Sequence, residues 1–309
     1  MILGIDTSNY KTSAACLGIG RKIWQSEGRF LDVEHGKLGL RQSEALFKHT
    51  KYLPDVIERL KMTEPLEAVA YSDKPREVEG SYMPCFLAGR CTAESIGRLL
   101  HVPVYHFSHQ QGHIASALFS VDRLELLERP FLAWHLSGGT TELLIVRPDE
   151  EMICRTEIIG GTTDISAGQA IDRCGVSLSM DFPSGVYVER AALRSESRDG
   201  YTAKCTDGHF SLSGLENKFK DLIAKGVSPE DVCRFTLNSV SSTIVKATVW
   251  ARKKYRGLPV LFSGGVSVCS ILQDHFSGMD NIYFAQKGLG GDNALGAALL
   301  ADMEMKKCR

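Results

Sequence analysis

None of the nine cysteines stands in a C-x-x-C pair, and their number is odd. That argues against a disulfide framework or a cysteine zinc site and for reduced thiols. No apolar run approaches the roughly 20 residues that cross a membrane. The opening Met1-Ile2-Leu3-Gly4-Ile5-Asp6 reaches an acid too soon for a secretory signal. A cytoplasmic protein with no membrane partner is expected. Neither charge sign is in excess: 36 Lys and Arg stand against 37 Asp and Glu, a net charge of −1. A nucleic-acid partner would need a local basic patch, because the whole-molecule field gives no help. The phosphate-binding signatures G-x-G-x-x-G and G-x-x-x-x-G-K-[ST] are also missing, so Rossmann and P-loop folds lack their markers.

What is present is an ordinary globular composition, 43% apolar and 24% charged over 309 residues, long enough for two lobes. Residues 2–6 read as a buried strand ending at Asp6-Thr7-Ser8-Asn9-Tyr10-Lys11-Thr12, and 13–18 as a returning strand. A turn of small hydroxyl residues can aim backbone N–H groups and hydroxyls at a phosphate. The pattern then predicts a third strand over 22–26 and a helix over 42–60, interrupted near Pro54. A strand over 68–72, a loop over 73–82, a helix over 86–100 and a strand over 102–105 follow.

Ser108-His109-Gln110-Gln111-Gly112-His113 opens the next helix. Ser108 and Gln111 make an S-x-x-Q capping box. His109 and His113, four apart, share one helix face, where both imidazoles can reach a single ion. Two ligands do not close a metal site, so a third must come from elsewhere.

At Pro130 the opening plan repeats, with strand 131–136, turn Ser137-Gly138-Gly139-Thr140-Thr141 and strand 142–146. Its glycines let a ligand approach the backbone. Two such hairpins predict two related lobes, 1–128 and 129–291, with a last helix over 292–309 packing back on the first. Within the second half come a helix near 166–174, a Pro183-Ser184-Gly185 turn and a polar loop over 195–208. A long helix over 229–254 runs into Arg252-Lys253-Lys254-Tyr255-Arg256-Gly257. That basic run is either an RNA contact or, the commoner case, a helix end whose cations suit the dipole. After a strand over 258–262, Ser263-Gly264-Gly265 turns into a helix from Val266. Asp292, in Gly288-Leu289-Gly290-Gly291-Asp292-Asn293, is either an N-cap or a natural third ligand for the two histidines.

Taken in order, these motifs carry a resemblance. Gly4-Ile5-Asp6-Thr7-Ser8, the His109/His113 pair, Ser137-Gly138-Gly139-x-Thr141 and Ala167-Gly168-x-Ala170-x-Asp172 come first. Phe210-Ser211-x-Ser213-Gly214-Leu215, Ser263-Gly264-Gly265-Val266-Ser267 and Asp292-Asn293-Ala294 complete the series. Together they resemble the TsaD/Gcp family, also called O-sialoglycoprotein endopeptidase-like. The resemblance implies an α/β protein of the actin-like/Hsp70-like ATPase (ASKHA) fold, two RNase H-like lobes around a nucleotide and metal cleft. It implies a tRNA N6-threonylcarbamoyladenosine synthase, an acyltransferase moving a threonylcarbamoyl group from threonylcarbamoyl-adenylate to an adenosine of transfer RNA. One iron or zinc ion and ATP or the adenylate would be bound. Transfer RNA and TsaB-like and TsaE-like proteins would be partners.

By position, the resemblance makes His109, His113 and Asp292 the metal ligands. Ser137, Gly138 and Gly139, with His135 and Leu136 just before them, would meet the adenylate or nucleotide phosphates. Asp172 would bind the ribose and Gly185 would flank the adenosine, while Cys269 stands where the family has a nucleotide-contacting Asn. The metal would act as a Lewis acid on the donor, and backbone donors at Ser137–Gly139 would stabilise charge on the phosphate.

Departures from the pattern are specific. The family's acidic pair after Thr-Ser, which acts on the attacking amine, is Tyr10 and Lys11 here, so these two take the catalytic position. H-x-E-G-H has become His109-Gln110-Gln111-Gly112-His113, and Thr140 replaces a histidine. A Gly-Gly-Val-Val-Pro-Glu segment is replaced by residues 36–42. These changes also suit a diverged paralogue: a non-catalytic nucleotide- and metal-binding partner subunit, or a carbamoyltransferase with another acceptor. A metalloprotease lacks its marker, since Gln110 follows His109 where H-E-x-x-H needs a glutamate. A sugar kinase or ATPase on the same fold stays open.

Overall fold

The computed structural model describes residues 1–8, 10–21, 24–32, 40–289 and 293–307. In chain order the elements are β1 (Ile2–Ser8), β2 (Lys11–Leu17), β3 (Trp24–Phe30), α1 (Gln42–Glu58), β4 (Ala68–Lys74), α2 (Phe86–Leu100), β5 (Val104–Ser108) and α3 (His109–Ser120). Then come β6 (Phe131–Leu136), β7 (Thr141–Asp149), β8 (Ile153–Thr162), α4 (Ala167–Ser177), α5 (Gly185–Ala192), β9 (Cys205–Thr206) and β10 (His209–Phe210). The chain ends with α6 (Ser213–Ala224), α7 (Pro229–Lys254), β11 (Val260–Ser263), α8 (Ser270–Asp274), β12 (Ile282–Phe284) and α9 (Asn293–Lys307). Two compact units result. The first takes Met1–Leu127, Pro148–Arg155 and Gly288–Arg309, and the second takes Glu128–Arg147 and Thr156–Lys287. No helix among the described residues is long and apolar enough to cross a membrane.

Each unit is built on the same sheet plan. In the first the order is β3-β2-β1-β4-β5, with β1–β2 and β2–β3 antiparallel and β1–β4 and β4–β5 parallel. The second has β12-β11-β6-β7-β8-β10-β9, with β6–β7 antiparallel and β6–β11 and β11–β12 parallel. The repeated strand–turn–strand in the sequence is therefore the seed of the same RNase H-like order, used twice.

β1 is buried almost throughout because both its faces are covered, which is why it reads as a continuous apolar run. One face packs Leu3 and Ile5 against Leu53, Val56 and Ala93. The other meets α9, where a Cβ on Gly4 would fall 1.9 Å from the Ala294 carbonyl oxygen. α9 is buried from Asn293 to Asp302, so its small-residue composition reflects close packing on several sides. Against α3 the approach is closest at glycine: a Cβ on Gly296 would lie 1.9 Å from the Gly112 carbonyl oxygen. That crossing sets the start of α9 beside the first turns of α3.

Several expectations change. α1 runs unbroken through Pro54. The proline removes the N–H that the Thr50 carbonyl would receive, but Tyr52, Leu53 and Val56 are buried on either side and hold the helix together. No helix starts at Val266. The Val266 N–H donates to the Leu136 carbonyl, Ser267 bonds back to Gly264, and helix resumes only at Ser270. β8, α5 and α6 were not expected as elements. α6 starts where Asp164, far upstream, accepts from the N–H groups of Leu212 (2.8 Å) and Ser213 (3.1 Å). The basic run is the end of α7, where Gly257 N–H donates to the Arg252 carbonyl and Lys254 lies over the Trp250 ring.

Behind β2, the Thr12 hydroxyl and His49 Nδ1 are 2.8 Å apart in the core, and His49 Nε2 has no hydrogen-bond partner among the described residues. Burial pushes the imidazole down to about 4, against the opposing pull of Asp6. The unfolded chain, with an ordinary histidine near 6.5, then binds the proton first. Stability is therefore full above about pH 6.5 and falls as pH drops from there toward 4, by on the order of 2–3 kcal/mol. Urea midpoints measured across this range should show the fall, and His49→Gln should flatten it. Gly296→Ala should cost on the order of 1–3 kcal/mol by forcing α3 and α9 apart, read as a lower urea midpoint at neutral pH.

Candidate functional site

In the first unit, α3 begins with the capping box in place. Ser108 Oγ accepts from the Gln111 N–H at 3.3 Å, and Gln111 Oε1 accepts from the Ser108 N–H at 2.8 Å. One turn apart, the His109 and His113 rings lie with centroids 4.5 Å apart and planes at 76°. β1 delivers Asp6 to the same place: its carboxylate is 1% exposed, and Oδ1 is 2.9 Å from His109 Nδ1. Burial alone would raise the Asp6 carboxyl. The charge and hydrogen bond of His109, with a bond from the Ser8 hydroxyl (2.7 Å), outweigh it and hold the group below the usual carboxylate range. An ionised carboxylate only accepts, so Nδ1 carries the proton that faces it, and in the neutral ring this leaves the lone pair on Nε2. This is how an imidazole is oriented when Nε2 coordinates an ion.

Beside it, Asn293 Nδ2 is 3.5 Å from His109 Nε2, and Asn293 Oδ1 is buried with no hydrogen-bond partner among the described residues. Two imidazoles, one pinned by a buried carboxylate, next to a buried amide oxygen, are a donor set that fits a first-row metal ion. Asp292, the third ligand expected from the resemblance, lies outside the described residues. Among the described residues no group of three or more His, Cys, Asp and Glu converges. Asp6 was not singled out as a site residue, although an acid closing an apolar strand was a usable signal.

Strand alternation sorts the hydroxyls of the first hairpin. Thr7 Oγ1 donates to the Cys85 carbonyl (3.0 Å) and accepts from the Gly89 N–H (3.1 Å), so it anchors α2. Thr12 faces His49. Neither is turned to a phosphate as expected. Lys11 opens β2 opposite Ser8, on the Asp6 face, with its stem laid over Gly28 of β3, where a Cβ would come within 2.4 Å of Lys11 Cε. Tyr10 is 42% exposed in the turn. Neither side chain makes a hydrogen bond or ion pair among the described residues.

In the second unit, the turn between β6 and β7 is closed by Ser137 Oγ, which accepts from the N–H groups of Gly139 (3.3 Å) and Thr140 (3.0 Å). α4 starts directly on this turn. Its cap Ser166 donates to the Gly138 carbonyl at 2.6 Å, and a Cβ on Gly168 would lie 2.6 Å from Gly138 Cα. Asp172, on the same helix, accepts from the Ser184 N–H at 2.7 Å and so draws in the start of α5. Gly138, Asp172, Gly185 and Cys269 then line one pocket of about 230 Å³, with Ile171, Val186 and Val266 as apolar walls. Glu189 lines it too, while its Oε1 caps α8 by accepting from Ser270 N–H (2.7 Å) and Oγ (2.8 Å). Nothing local in the sequence marked Glu189. The Cys269 thiol, 7% exposed, is pushed up to about 11 by burial, so it stays protonated and acts as wall, not nucleophile.

Other expected contacts are not in this pocket. Leu136 is wholly buried in the unit's core, and His135 stands opposite Glu142 in the strand register of the hairpin. Ser137 and Gly139 form the turn but do not line the pocket. Apolar walls, two carboxylates and a helix N-terminus at a glycine turn can hold a base, a ribose diol and a phosphate respectively. Asp172→Ala should weaken adenine-nucleotide binding about tenfold or more, read by calorimetry.

The sequence model of the tRNA N6-adenosine threonylcarbamoyltransferase family, TsaD, matches residues 42–298. The chain is 29% identical over 310 residues to the enzyme of that name from Thermus thermophilus, covering 97% of this chain and 91% of that protein. It is 27% identical over 282 residues to the one from Listeria monocytogenes, covering 86% and 78%. Among solved structures, full-length HypF in the phosphate- and nucleotide-bound form superposes with a TM-score of 0.63 at 13% identity, over 99% of this chain and 56% of that one. The activator of the 2-hydroxyisocaproyl-CoA dehydratase from Clostridium difficile with bound ADPNP gives 0.54 at 14%, over 99% and 96%. A ROK hexokinase from Thermus thermophilus gives 0.52 at 14%, over 99% of each chain. The fold is thus the α/β ASKHA fold with two RNase H-like lobes. The chain belongs to the tRNA N6-adenosine threonylcarbamoyltransferase (TsaD) family.

Proposed function

We propose that this protein transfers a threonylcarbamoyl group from threonylcarbamoyl-adenylate to N6 of an adenosine in transfer RNA, in the cytoplasm. The observation that carries the reading is the Asp6–His109 bond beside His113 in a member of this family. His109 and His113, with Asp292, would hold one iron or zinc ion. When bound, the ion supplies Lewis acidity to oxygens of the donor. Asp6 keeps His109 in the tautomer with Nε2 available.

In this reading Asp172 and Glu189 receive the ribose hydroxyls of the adenylate. Ile171, Val186 and Val266 cover its base, and the Gly138 turn at the start of α4 faces its phosphate. The amine attacks the carbamoyl carbon, the bond to the phosphate oxygen breaks, AMP leaves, and one amine proton is released. Tyr10 and Lys11, in the hairpin that follows Asp6, are the residues assigned to the acceptor side. TsaB-like and TsaE-like proteins are the proposed partners.

The test is a reaction with threonylcarbamoyl-adenylate, unmodified transfer RNA and those partner proteins, followed by mass spectrometry of the digested RNA. Threonylcarbamoyladenosine should appear, and Asp6→Asn should lower its rate of formation about 10–100-fold. No modified nucleoside, while the Thermus enzyme is active in parallel, would overturn transfer to RNA.

A further inference from the structure

Gln111 uses its whole amide, and only half of that use is explained by capping. Oε1 accepts from the N–H of Ser108 (2.8 Å) and its hydroxyl (3.0 Å), while Nε2 donates to the carbonyls of Met152 (2.7 Å) and Cys154 (2.9 Å). A glutamate would serve the cap equally well. Two carbonyl acceptors require an NH2 group, which a glutamate lacks. That is a physical reason for Gln111 where the family pattern has an acid.

The two carbonyls flank Ile153, a β-branched residue at φ 63° whose side chain is 3% exposed. This conformation is costly and persists only where its surroundings over-determine it. Asp149 Oδ1 accepts from the N–H groups of Glu151 and Met152, each at 3.0 Å, and Cys154 N–H closes onto the Met152 carbonyl at 2.7 Å. The result is a stiff turn that presents both carbonyls to one side chain. Pro148–Arg155 belongs to the same compact unit as α3, and Gln111 stands between His109 and His113 on that helix.

We propose that Gln111 is a positioning residue for the histidine pair, tying the first turn of α3 to the strained Met152–Cys154 turn. The tie fixes the rotation of α3 about its axis, and with it where His109 Nε2 and the His113 ring point. The inference rests on the metal reading given under Proposed function.

The test is a Co2+ titration of the full-length protein, followed by visible absorption, with urea unfolding in parallel. Gln111→Glu and the neutral Gln111→Met remove both donor bonds, and each should weaken Co2+ binding about 10–100-fold and change the ligand-field bands. Asp149→Ala loosens the turn from its far side without touching α3, and should weaken binding several-fold. Leu53→Ala, a core variant that lowers stability, should leave affinity and bands unchanged. If wild type binds Co2+ and the Gln111 variants bind with the same affinity and spectrum, the proposal is overturned while the metal reading stands. Loss of affinity in Leu53→Ala equal to that in Gln111→Met would also overturn it, because stability alone would then explain the effect. If wild type itself fails to bind, both fall, and the two failures are told apart by that first titration.

Discussion

A carboxylate cannot be left alone in a protein core, and Asp6 is buried almost completely at the end of β1. Its partner is the Nδ1–H of His109, more than a hundred residues along the chain. The first unit is arranged so that this bond can form. α3 must start at the end of the sheet that Asp6 occupies, and α9 must fit against both β1 and α3. Gly4 and Gly296 make that possible, each having helix backbone where a side chain would begin. The capping box fixes the helix start, and the Asp6 bond fixes the ring.

The second unit follows the same sheet order to a different end. Where the first hairpin meets a buried acid and a histidine helix, the second closes on glycines and receives α4 directly against its backbone. The same RNase H-like plan thus yields a site of imidazole donors in one unit and a pocket of apolar walls and carboxylates in the other. The divergence lies in a few residues at the strand ends, where α/β sheets commonly place their chemistry.

What could be read in the sequence was local or repeated. The Ser108–Gln111 box and the histidine spacing are i,i+3 and i,i+4 relations, and the strand–turn–strand repeat recurs whole. Gly138, Asp172, Gly185 and Cys269 were named through motif order, and they do line one pocket. What was missed depends on distant partners. Asp6 finds its role through His109, Gln111 through Met152 and Cys154, Asp164 through α6, and Glu189 through Ser270. The break expected at Pro54 and the helix expected from Val266 failed for the same reason. Tertiary burial overrode one local rule, and a hydrogen bond to Leu136 overrode the other.

The central claim is that Asp6 orients His109 so that, with His113, it binds a metal ion. Anomalous X-ray diffraction from the protein crystallised with zinc or iron tests it most directly. The account predicts one strong peak in bonding distance of His109 Nε2 and a nitrogen of His113, with Asp6 still on Nδ1. A peak elsewhere in the molecule, or a His109 ring turned with Nδ1 to the metal and Nε2 to Asp6, would contradict it.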